Sequence, residues 1–291
     1  MVTPPTGVQH GVLLLSCPDA PGVVHAVAGL LMQEKCTIVQ SQQFGSMPTR
    51  TFYMRVEFAH IDGSPLDLDA LRAEVAALGE RFHMTWRLVD AAQRQRVVIM
   101  VSKFAHCLND LLFRNSSGDL NLDVVAVVSN HPDLGRMADS FDVPFRHLPV
   151  TPDTKGEAEA ALLALVREEQ VDLVVLARYM QILSTDLCTQ LEGKAINIHH
   201  SMLPSFKGAK PYHQAYARGV KFIGATAHYV TADLDEGPII EQELIRVDHT
   251  LVPDQLAARG REAESRALAR AVRWHTENRI VLSDAKTVIL Q

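Results

Sequence analysis

The sequence predicts an α/β protein of two domains, and three observations support that prediction. The chain has 291 residues, which suggests about two domains at roughly 100–200 residues each. Up to residue 89, strand and helix patterns follow one another in the order βαββαβ. Beyond residue 95, near-continuous apolar strands alternate with helices, which is typical of a parallel sheet covered on both faces.

The first domain is expected at residues 1–89 as a ferredoxin-like half-sandwich of four strands and two helices. Apolar runs bounded by turn residues predict the strands, and apolar residues at helical spacing predict the helices. The expected strands are 8–16, 36–44, 51–58 and 83–88, and the expected helices are 23–33 and 68–79. The short polar stretch 90–95 is the expected linker.

The second domain is expected at residues 96–291 as a mostly parallel, Rossmann-like sheet with helices on both faces. Its expected strands are 96–102, 122–129, 145–148, 172–177, 195–199, 222–230 and 238–247. Its expected helices are 107–113, 133–139, 156–169, 185–191 and 253–276, before a small terminal hairpin. Because such folds bind ligands at the carboxyl ends of strands, we expect a site where strand 195–199 ends.

Composition describes an ordinary soluble globular protein, with 47% hydrophobic and 21% charged residues. The net charge of −6 argues against a nucleic-acid surface. The chain contains no apolar run of membrane-spanning length and no secretory signal at its start, so we expect a cytoplasmic protein with no membrane partner. Free, buried thiols of a reducing compartment are expected for the four dispersed cysteines: Cys17, Cys36, Cys107 and Cys188.

The stretch 195–240 carries the residue types that chemistry at a carbonyl carbon requires. Asn197 and His199 are two residues apart on an expected strand, so their side chains share a face. Asp235 lies in a tight acidic loop. An amide N–H can stabilise an oxyanion, while an imidazole and a carboxylate can move protons or orient water. Simpler roles are also open: a turn aspartate, a core histidine and a loop-capping asparagine.

Two segments of this stretch resemble motifs of the formyltransferases that use 10-formyltetrahydrofolate. NIHHSMLP at 197–204 is similar to N-I-H-P-S-L-L-P, and HYVTADLDEGP at 228–238 is similar to H-x-V-x-x-x-x-D-x-G-P. The resemblance implies that Asn197, His199 and Asp235 are catalytic, with Asp235 positioning the attacking group. It also implies no metal and no cofactor beyond the folate substrate.

One departure from the family pattern is His200, which stands where purine-pathway transformylases have proline. The N-I-H-H-S variant resembles the formyltetrahydrofolate deformylases, which release the formyl group as formate. The loop 102–107 has no glycine, which argues against a phosphate-bearing acceptor. His200 is either a specificity device that admits water or a tolerated variant.

The resemblance therefore implies hydrolysis of 10-formyltetrahydrofolate to formate and tetrahydrofolate, supplying formate for purine synthesis and balancing one-carbon folate pools. The first alternative is transfer of the formyl group to an amine acceptor. The second is a folate- or amino-acid-responsive regulator without turnover.

A pterin needs a slot with apolar walls and backbone hydrogen-bonding groups. The resemblance places substrate contacts at Met180, Ile182, Leu183, His200, His228, Val230 and Asp233. Met180 and Leu183 also fit an ordinary core. The basic loop with Lys207 and Lys210 fits either a solvated surface or attraction for the anionic glutamate tail of the folate.

In the first domain, a D-x-P-G turn after the first strand, from Asp19 to Gly22, resembles that of ACT domains. The resemblance implies pairing into a homo-oligomer, a dimer or tetramer. It also implies an amino-acid effector near Asp19 and Gly22, where free N–H groups at a helix start can hold a carboxylate. A plain structural turn explains the same residues.

Overall fold

A computed structural model describes residues 7–205 and 211–291 of the chain. The chain forms two compact units. The first contains the described residues up to Gln93, together with Glu277–Ser283 and Val288–Gln291. The second contains the described residues of Arg94–Thr276, together with Asp284–Thr287. The change of unit between 93 and 94 falls inside the stretch 90–95 that the sequence marks as the linker.

The first unit has the predicted βαββαβ order. Its elements are β1 (His10–Pro18), α1 (Val23–Gln33), β2 (Cys36–Ser46), β3 (Thr51–His60), α2 (Leu68–Phe82) and β4 (Thr85–Asp90). The four strands form one antiparallel sheet in the order β2-β3-β1-β4. This order confirms the ferredoxin-like fold that fits an ACT domain.

Strand β1 is apolar along its whole length because both of its faces are covered. Leu13 and Leu15 point into a core shared with the helix residues Val27 and Val75. Leu14 points to the opposite face, since successive side chains of a strand alternate. There it packs in a smaller cluster whose members are Tyr53, Val281, Val288 and Leu290.

That smaller cluster explains where the C-terminal residues lie. The sequence assigned 96–291 to one domain. The structure has a hairpin of β12 (Ile280–Ser283) and β13 (Lys286–Ile289) near the C-terminus. Leu290, 4% exposed, packs on the first unit's sheet with Val281 and Val288. Apolar burial therefore draws most of these residues into the first unit.

The second unit alternates strands and helices as predicted. In chain order its elements are β5 (Gln95–Val101), α3 (His106–Ser116), β6 (Leu122–Ser129), α4 (Gly135–Asp139), β7 (Phe145–His147), α5 (Lys155–Glu168), β8 (Leu173–Leu176), α6 (Thr185–Gln190), β9 (Ala195–His199), α7 (Pro211–Arg218), β10 (Phe222–Tyr229), β11 (Ile239–Arg246) and α8 (Pro253–Thr276). These bounds match the predicted ranges within about three residues, with the exception of α7.

Seven strands form one sheet in the order β11-β10-β9-β8-β5-β6-β7. The pairs from β9 to β7 are parallel, whereas β10 and β11 are antiparallel to their neighbours. From β5 the chain first builds outward through β6 and β7, and then returns to build through β8 and β9 on the other side. The strand order therefore reverses between β5 and β8, and such a point is where open α/β sheets bind ligands.

Helix α7 was not predicted from the sequence, which indicated only a turn before residue 222. It has eight residues, begins with Pro211 at a position that favours proline, and is polar over most of its length. Ala215 and the half-buried Tyr212 supply its contact with the core. Two core contacts in eight residues give too weak a period to be distinguished from a turn.

Among the described residues, no helix has the length and apolar content needed to cross a membrane. The four cysteines are free thiols. Three of them, Cys17, Cys107 and Cys188, are buried as expected, whereas Cys36 is half-buried.

Candidate active site

Asn197 and His228 face each other across two neighbouring strands. They are register partners in the antiparallel pair of β9 and β10. His228 Nδ1 lies 2.8 Å from the carbonyl oxygen of Tyr229, which can only accept, so Nδ1 carries the proton. Nε2 then accepts from the Asn197 amide nitrogen at 3.1 Å. The imidazole of His228 thereby orients the Asn197 carboxamide.

The loop that carries Asp235 is closed back onto strand β10. The Tyr229 amide donates to the Pro238 carbonyl at 3.0 Å. Gly237 lies against this closure, and a Cβ atom there would collide with the Tyr229 carbonyl. Asp235 itself adopts a left-handed backbone with φ of 58°, a conformation that aspartate tolerates better than most residues. The local sequence thus directs the Asp235 carboxylate toward the end of β9.

Asp235 and His199 form the central pair of the site. His199 Nδ1 lies 3.2 Å from the Asp235 carboxylate, and His199 is 7% exposed. Burial alone would raise the pKa of Asp235, but the hydrogen bond from His199 and the nearby imidazoles outweigh it and lower that pKa. The carboxylate is therefore ionised at neutral pH. Within the part of the chain that the structure describes, His199 Nε2 is buried without a hydrogen-bond partner.

The other two histidines of the site are held neutral. Burial and the charge of Arg178 lower the pKa of His200 to about 4. Burial likewise lowers the pKa of His228, against the opposing effect of its hydrogen bond to Tyr229. Among the residues that line the pocket, the fixed charges are therefore the Arg178 cation and the carboxylate of Asp235, which lies beside the His199 imidazole.

These residues line a pocket at the carboxyl ends of β8 and β9, with a volume of about 940 Å³ including its mouth. The apolar wall comes from the segment after β8 and from the Asp235 loop. Met180, Ile182 and Leu234 in this wall are 51%, 62% and 57% exposed. Large apolar side chains exposed together in a concave site are typical of a binding site for a ligand with apolar surface.

The structure brings together most of the side chains that the sequence singled out in this domain. The pocket is lined by Asn197, His199, Asp235, Met180, Ile182, Leu183, His200, His228 and Val230. Met180 is too exposed for a core residue. Leu183 packs on the core and also lines the pocket, so both interpretations of it apply.

Asp233 differs from the other residues expected to contact substrate. Its side chain is exposed and lies outside the pocket lining. Its backbone carbonyl instead closes the turn, accepting from Thr231 Oγ1 at 3.0 Å and from the Glu236 amide at 3.2 Å. Lys207 and Lys210 lie outside the described residues.

Several residues of the pocket lining were not predicted from the sequence, among them Arg178, Gln181 and Leu234. Gln181 and Leu234 stand inside stretches that the sequence had marked, between residues that were named. Arg178 follows directly after a predicted buried strand. A charged residue at that position was the signal that could have identified it, because strand ends line the ligand crevice.

One group of side chains outside the proton-transfer pair has the residue types of a metal site. The ligand atoms of His106, Cys107 and Glu264 lie within 4.8 Å of one another. Glu264, however, already accepts hydrogen bonds from His106 and Tyr212, and the cation of Arg178 lies 3.3 Å away. Burial and the negative Glu264 raise the pKa of the Cys107 thiol, which disfavours the thiolate that a metal requires.

Comparison with known proteins agrees with this geometry. Residues 95–272 match the family model described as formyl transferase. A formyltetrahydrofolate deformylase of Corynebacterium sp. (strain P-1) is 54% identical over 284 residues, covering 98% of this chain and 99% of the relative. The chain belongs to the formyltetrahydrofolate deformylase family.

Solved structures distinguish this family from its neighbours. The formyltetrahydrofolate deformylase from Burkholderia mallei superposes with a TM-score of 0.92 at 52% identity, covering 97% of this chain and all of that one. Glycinamide ribonucleotide transformylase 1 from Symbiobacterium toebii reaches a TM-score of 0.64 at 30% identity and covers only 68% of this chain. Deformylases are therefore similar over both units, while the transformylase matches a smaller part.

Proposed function

We propose that this chain hydrolyses 10-formyltetrahydrofolate to formate and tetrahydrofolate. The observation that carries the proposal is the buried His199 imidazole, which donates to Asp235 through Nδ1 and, among the described residues, keeps Nε2 without a partner. An imidazole with a free Nε2 can accept a proton from a donor that binds beside it. Family membership supplies the substrate, because the relatives are deformylases of formyltetrahydrofolate.

In the proposed reaction, water attacks the formyl carbon while His199 Nε2 accepts a proton from it. The negative Asp235 stabilises the imidazolium that forms. The Asn197 amide has two N–H groups, and one is used by His228, so the other can donate to the developing oxyanion. When the tetrahedral intermediate collapses, the C–N bond breaks and the proton passes from His199 to the folate nitrogen.

The apolar wall supports a folate as the ligand. Met180, Ile182 and Leu234 present exposed apolar surface to the pocket, and a pterin ring would cover it. Burial of such surface contributes about 25 cal/mol for each Å² removed from water. The metabolic role that follows is the supply of formate for purine synthesis and the balance of one-carbon folate pools.

An assay without any acceptor tests the proposal. The purified chain is mixed with excess 10-formyltetrahydrofolate, and formate and tetrahydrofolate are followed over time. Equal amounts of both products over many turnovers are expected. Release that requires an added amine would indicate a formyltransferase, and binding without turnover would indicate a regulator.

For the first unit, we propose the amino-acid effector and the homo-oligomer that the ACT resemblance implies. Asp19 is exposed, and Gly22 begins α1 with φ of 94°, so the turn alone explains the glycine. Calorimetric titration with amino acids, repeated on Asp19→Ala, tests the effector.

Light scattering tests the homo-oligomer. The mass of a dimer or tetramer is expected, and the mass of a monomer would contradict the proposed oligomer.

A further inference from the structure

Two side chains, one from the loop after β5 and one from the loop after β8, meet at the crevice between the ends of these strands. The strand order reverses there, and open α/β sheets bind ligands at such a point. Phe104, from the loop after β5, and Arg178, from the loop after β8, meet in this crevice. The guanidinium carbon of Arg178 lies 5.2 Å from the centre of the Phe104 ring.

Glu264 of α8 forms an ion pair with Arg178 and also contacts two further side chains. Its carboxylate is 1% exposed and interacts with donors from three other segments. His106 Nε2 lies 2.6 Å away, and Tyr212 donates at 2.7 Å. Arg178 Nε lies 3.3 Å away, an ion-pair separation without hydrogen-bond geometry. We call Phe104, His106, Arg178, Tyr212 and Glu264 the plug.

The plug explains two local features that are unfavourable in themselves. They are the backbone conformation of Arg178 and the presence of a glycine inside α8. Arg178 has φ of 66°, in the left-handed region that side chains other than glycine rarely occupy. Gly260 lies inside α8, where glycine costs about 0.5–1 kcal/mol relative to alanine. A Cβ atom at position 260 would collide with the Tyr212 hydroxyl, so the glycine lets Tyr212 reach Glu264.

Ser102 fixes the strand ends around the plug. Its hydroxyl donates to Asn130 after β6 at 2.7 Å and accepts from the Met180 amide after β8 at 2.9 Å. Its own amide donates to the Arg178 carbonyl at 3.2 Å. The loops after three neighbouring strands are therefore joined through one buried serine, which holds the Arg178 backbone in place.

The plug borders the catalytic pocket on the side of the proton acceptor. Arg178 and His200 both line that pocket. The His200 ring centre lies 5.2 Å from that of His199 and 6.3 Å from that of Tyr212. A nucleophile that approaches the formyl carbon beside His199 therefore meets Arg178 and His200.

We propose that Arg178, which forms an ion pair with Glu264 and lies over the Phe104 ring, fills the space that an amine acceptor would occupy and so restricts the nucleophile to water. The inference rests on the proposed function. Water and an amine undergo the same exchange: each forms a bond to the formyl carbon, the bond to the folate nitrogen breaks, and the nucleophile's proton passes to that nitrogen. Since the chemistry is shared, discrimination must come from access.

The test measures how the formyl group is divided between water and an added amine. Wild type is incubated with 10-formyltetrahydrofolate and either ammonia or glycinamide at equal free-base concentration. Formate and the formylated amine are both quantified. Arg178→Gly removes the side chain and suits the positive φ, while Arg178→Met keeps the bulk without the charge. Arg114→Ala removes an arginine paired with Asp110 on α3 and serves as control.

For Arg178→Gly we expect the ratio of formylglycinamide to formate to rise by at least about tenfold, which corresponds to ~1.4 kcal/mol of transition-state free energy. Arg178→Met and Arg114→Ala should keep the wild-type ratio. A change in Arg178→Met equal to that in Arg178→Gly would show that charge, and not filled space, excludes the amine. An unchanged ratio in a folded, active Arg178→Gly would overturn the proposal.

If Arg178→Gly does not fold, the wild-type rates with ammonia and with glycinamide still test the proposal. The proposal requires wild type to formylate glycinamide more slowly than ammonia, or to formylate neither amine, and equal measurable rates with the two amines would overturn it. Formate release by wild type without amine distinguishes failure of the proposed hydrolysis from failure of the proposed role of Arg178. Its absence would refute the proposed hydrolysis, whereas formate release with unrestricted amine transfer would refute only the role of Arg178.

Discussion

Two polar clusters in the second unit combine a carboxylate with an imidazole and use the pair differently. In the catalytic cluster, His199 donates to Asp235 at 3.2 Å. In the plug, His106 bonds Glu264 at 2.6 Å. Burial alone would raise the pKa of both carboxylates, yet in each case the imidazole hydrogen bond helps to lower it.

The clusters differ in how much of their hydrogen-bonding capacity is filled. Both oxygens of Glu264 are occupied, by His106 and Tyr212, so we call this the filled cluster. Arg178 balances the charge of the carboxylate, while Arg178 Nε and Nη1 have no hydrogen-bond partner among the described residues. In the catalytic cluster, His199 Nε2 is buried and, within the described ranges, has no partner. A buried polar atom left unsatisfied is costly. In the proposed reaction the open cluster, that of His199 and Asp235, is the one that reacts, while the filled one shapes the space around it.

Asp235→Asn should give the largest effect by breaking the open cluster. The amide cannot stabilise the imidazolium of His199, so kcat for formate release should fall by about 10²–10⁴, the range for a lost acid–base group. Steady-state kinetics measures kcat. Asp233→Asn in the same loop should change it within about twofold, because surface substitutions rarely exceed ~0.5 kcal/mol. Equal losses in the two variants would contradict the assignment.

Glu264→Ala should break the filled cluster and act on stability. Removing one partner of a buried ion pair costs about 3–5 kcal/mol, because Arg178 is left without its counter-charge. Urea denaturation measures the free energy of unfolding. Glu262→Ala, on the same helix and 51% exposed, should cost less than ~1 kcal/mol. A Glu264→Ala protein as stable as the Glu262→Ala protein would show that the plug is not held by Glu264.

Gly260→Ala should force Tyr212 away from Glu264. The added methyl group would collide with the tyrosine hydroxyl, and overpacking of this kind costs about 1–3 kcal/mol. Gly29→Ala is the matched substitution in α1, where the added Cβ meets no described atom within 4 Å. It should stabilise by ~0.4–1 kcal/mol. Thermal or urea unfolding of both variants is the measurement, and the same sign in both would refute the collision.

His200 should make stability depend on pH. Its pKa is lowered to about 4 in the folded state, so the unfolded chain takes up a proton first. Unfolding free energy should therefore fall as pH drops from ~6.5 toward 4, by at most ~1.4 kcal/mol per pH unit for this one group. His200→Gln should show a shallower slope in urea titrations at several pH values. Parallel slopes in both proteins would contradict the lowered pKa.

The sequence predicted the fold well because local signals were consistent there. The helix 23–33 and the strand 195–199 match the structure residue for residue, since the apolar pattern and the flanking turn residues agree. The spacing of Asn197 and His199 also placed two site residues on one strand face. The pairing of Asp235 with His199 could be expected only from the family resemblance, because 36 positions separate them.

The plug was not predicted because its members carry no shared motif. Arg178 and Glu264 are 86 positions apart, and only the tertiary fold brings them together. One signal was present in α8: Glu264 lies on the same helix face as Gly260, Ala267 and Leu268, all of which are buried. A charged residue on an apolar helix face is expected to have a buried partner.

The most direct test of the account follows oxygen from water into formate. Wild type is given 10-formyltetrahydrofolate in water enriched in oxygen-18, without any amine, and the formate is analysed by mass spectrometry. If His199 delivers water to the formyl carbon, each formate carries one solvent oxygen and tetrahydrofolate appears in equal amount over many turnovers. Formate without solvent oxygen, or no formate until an amine is added, would contradict the account.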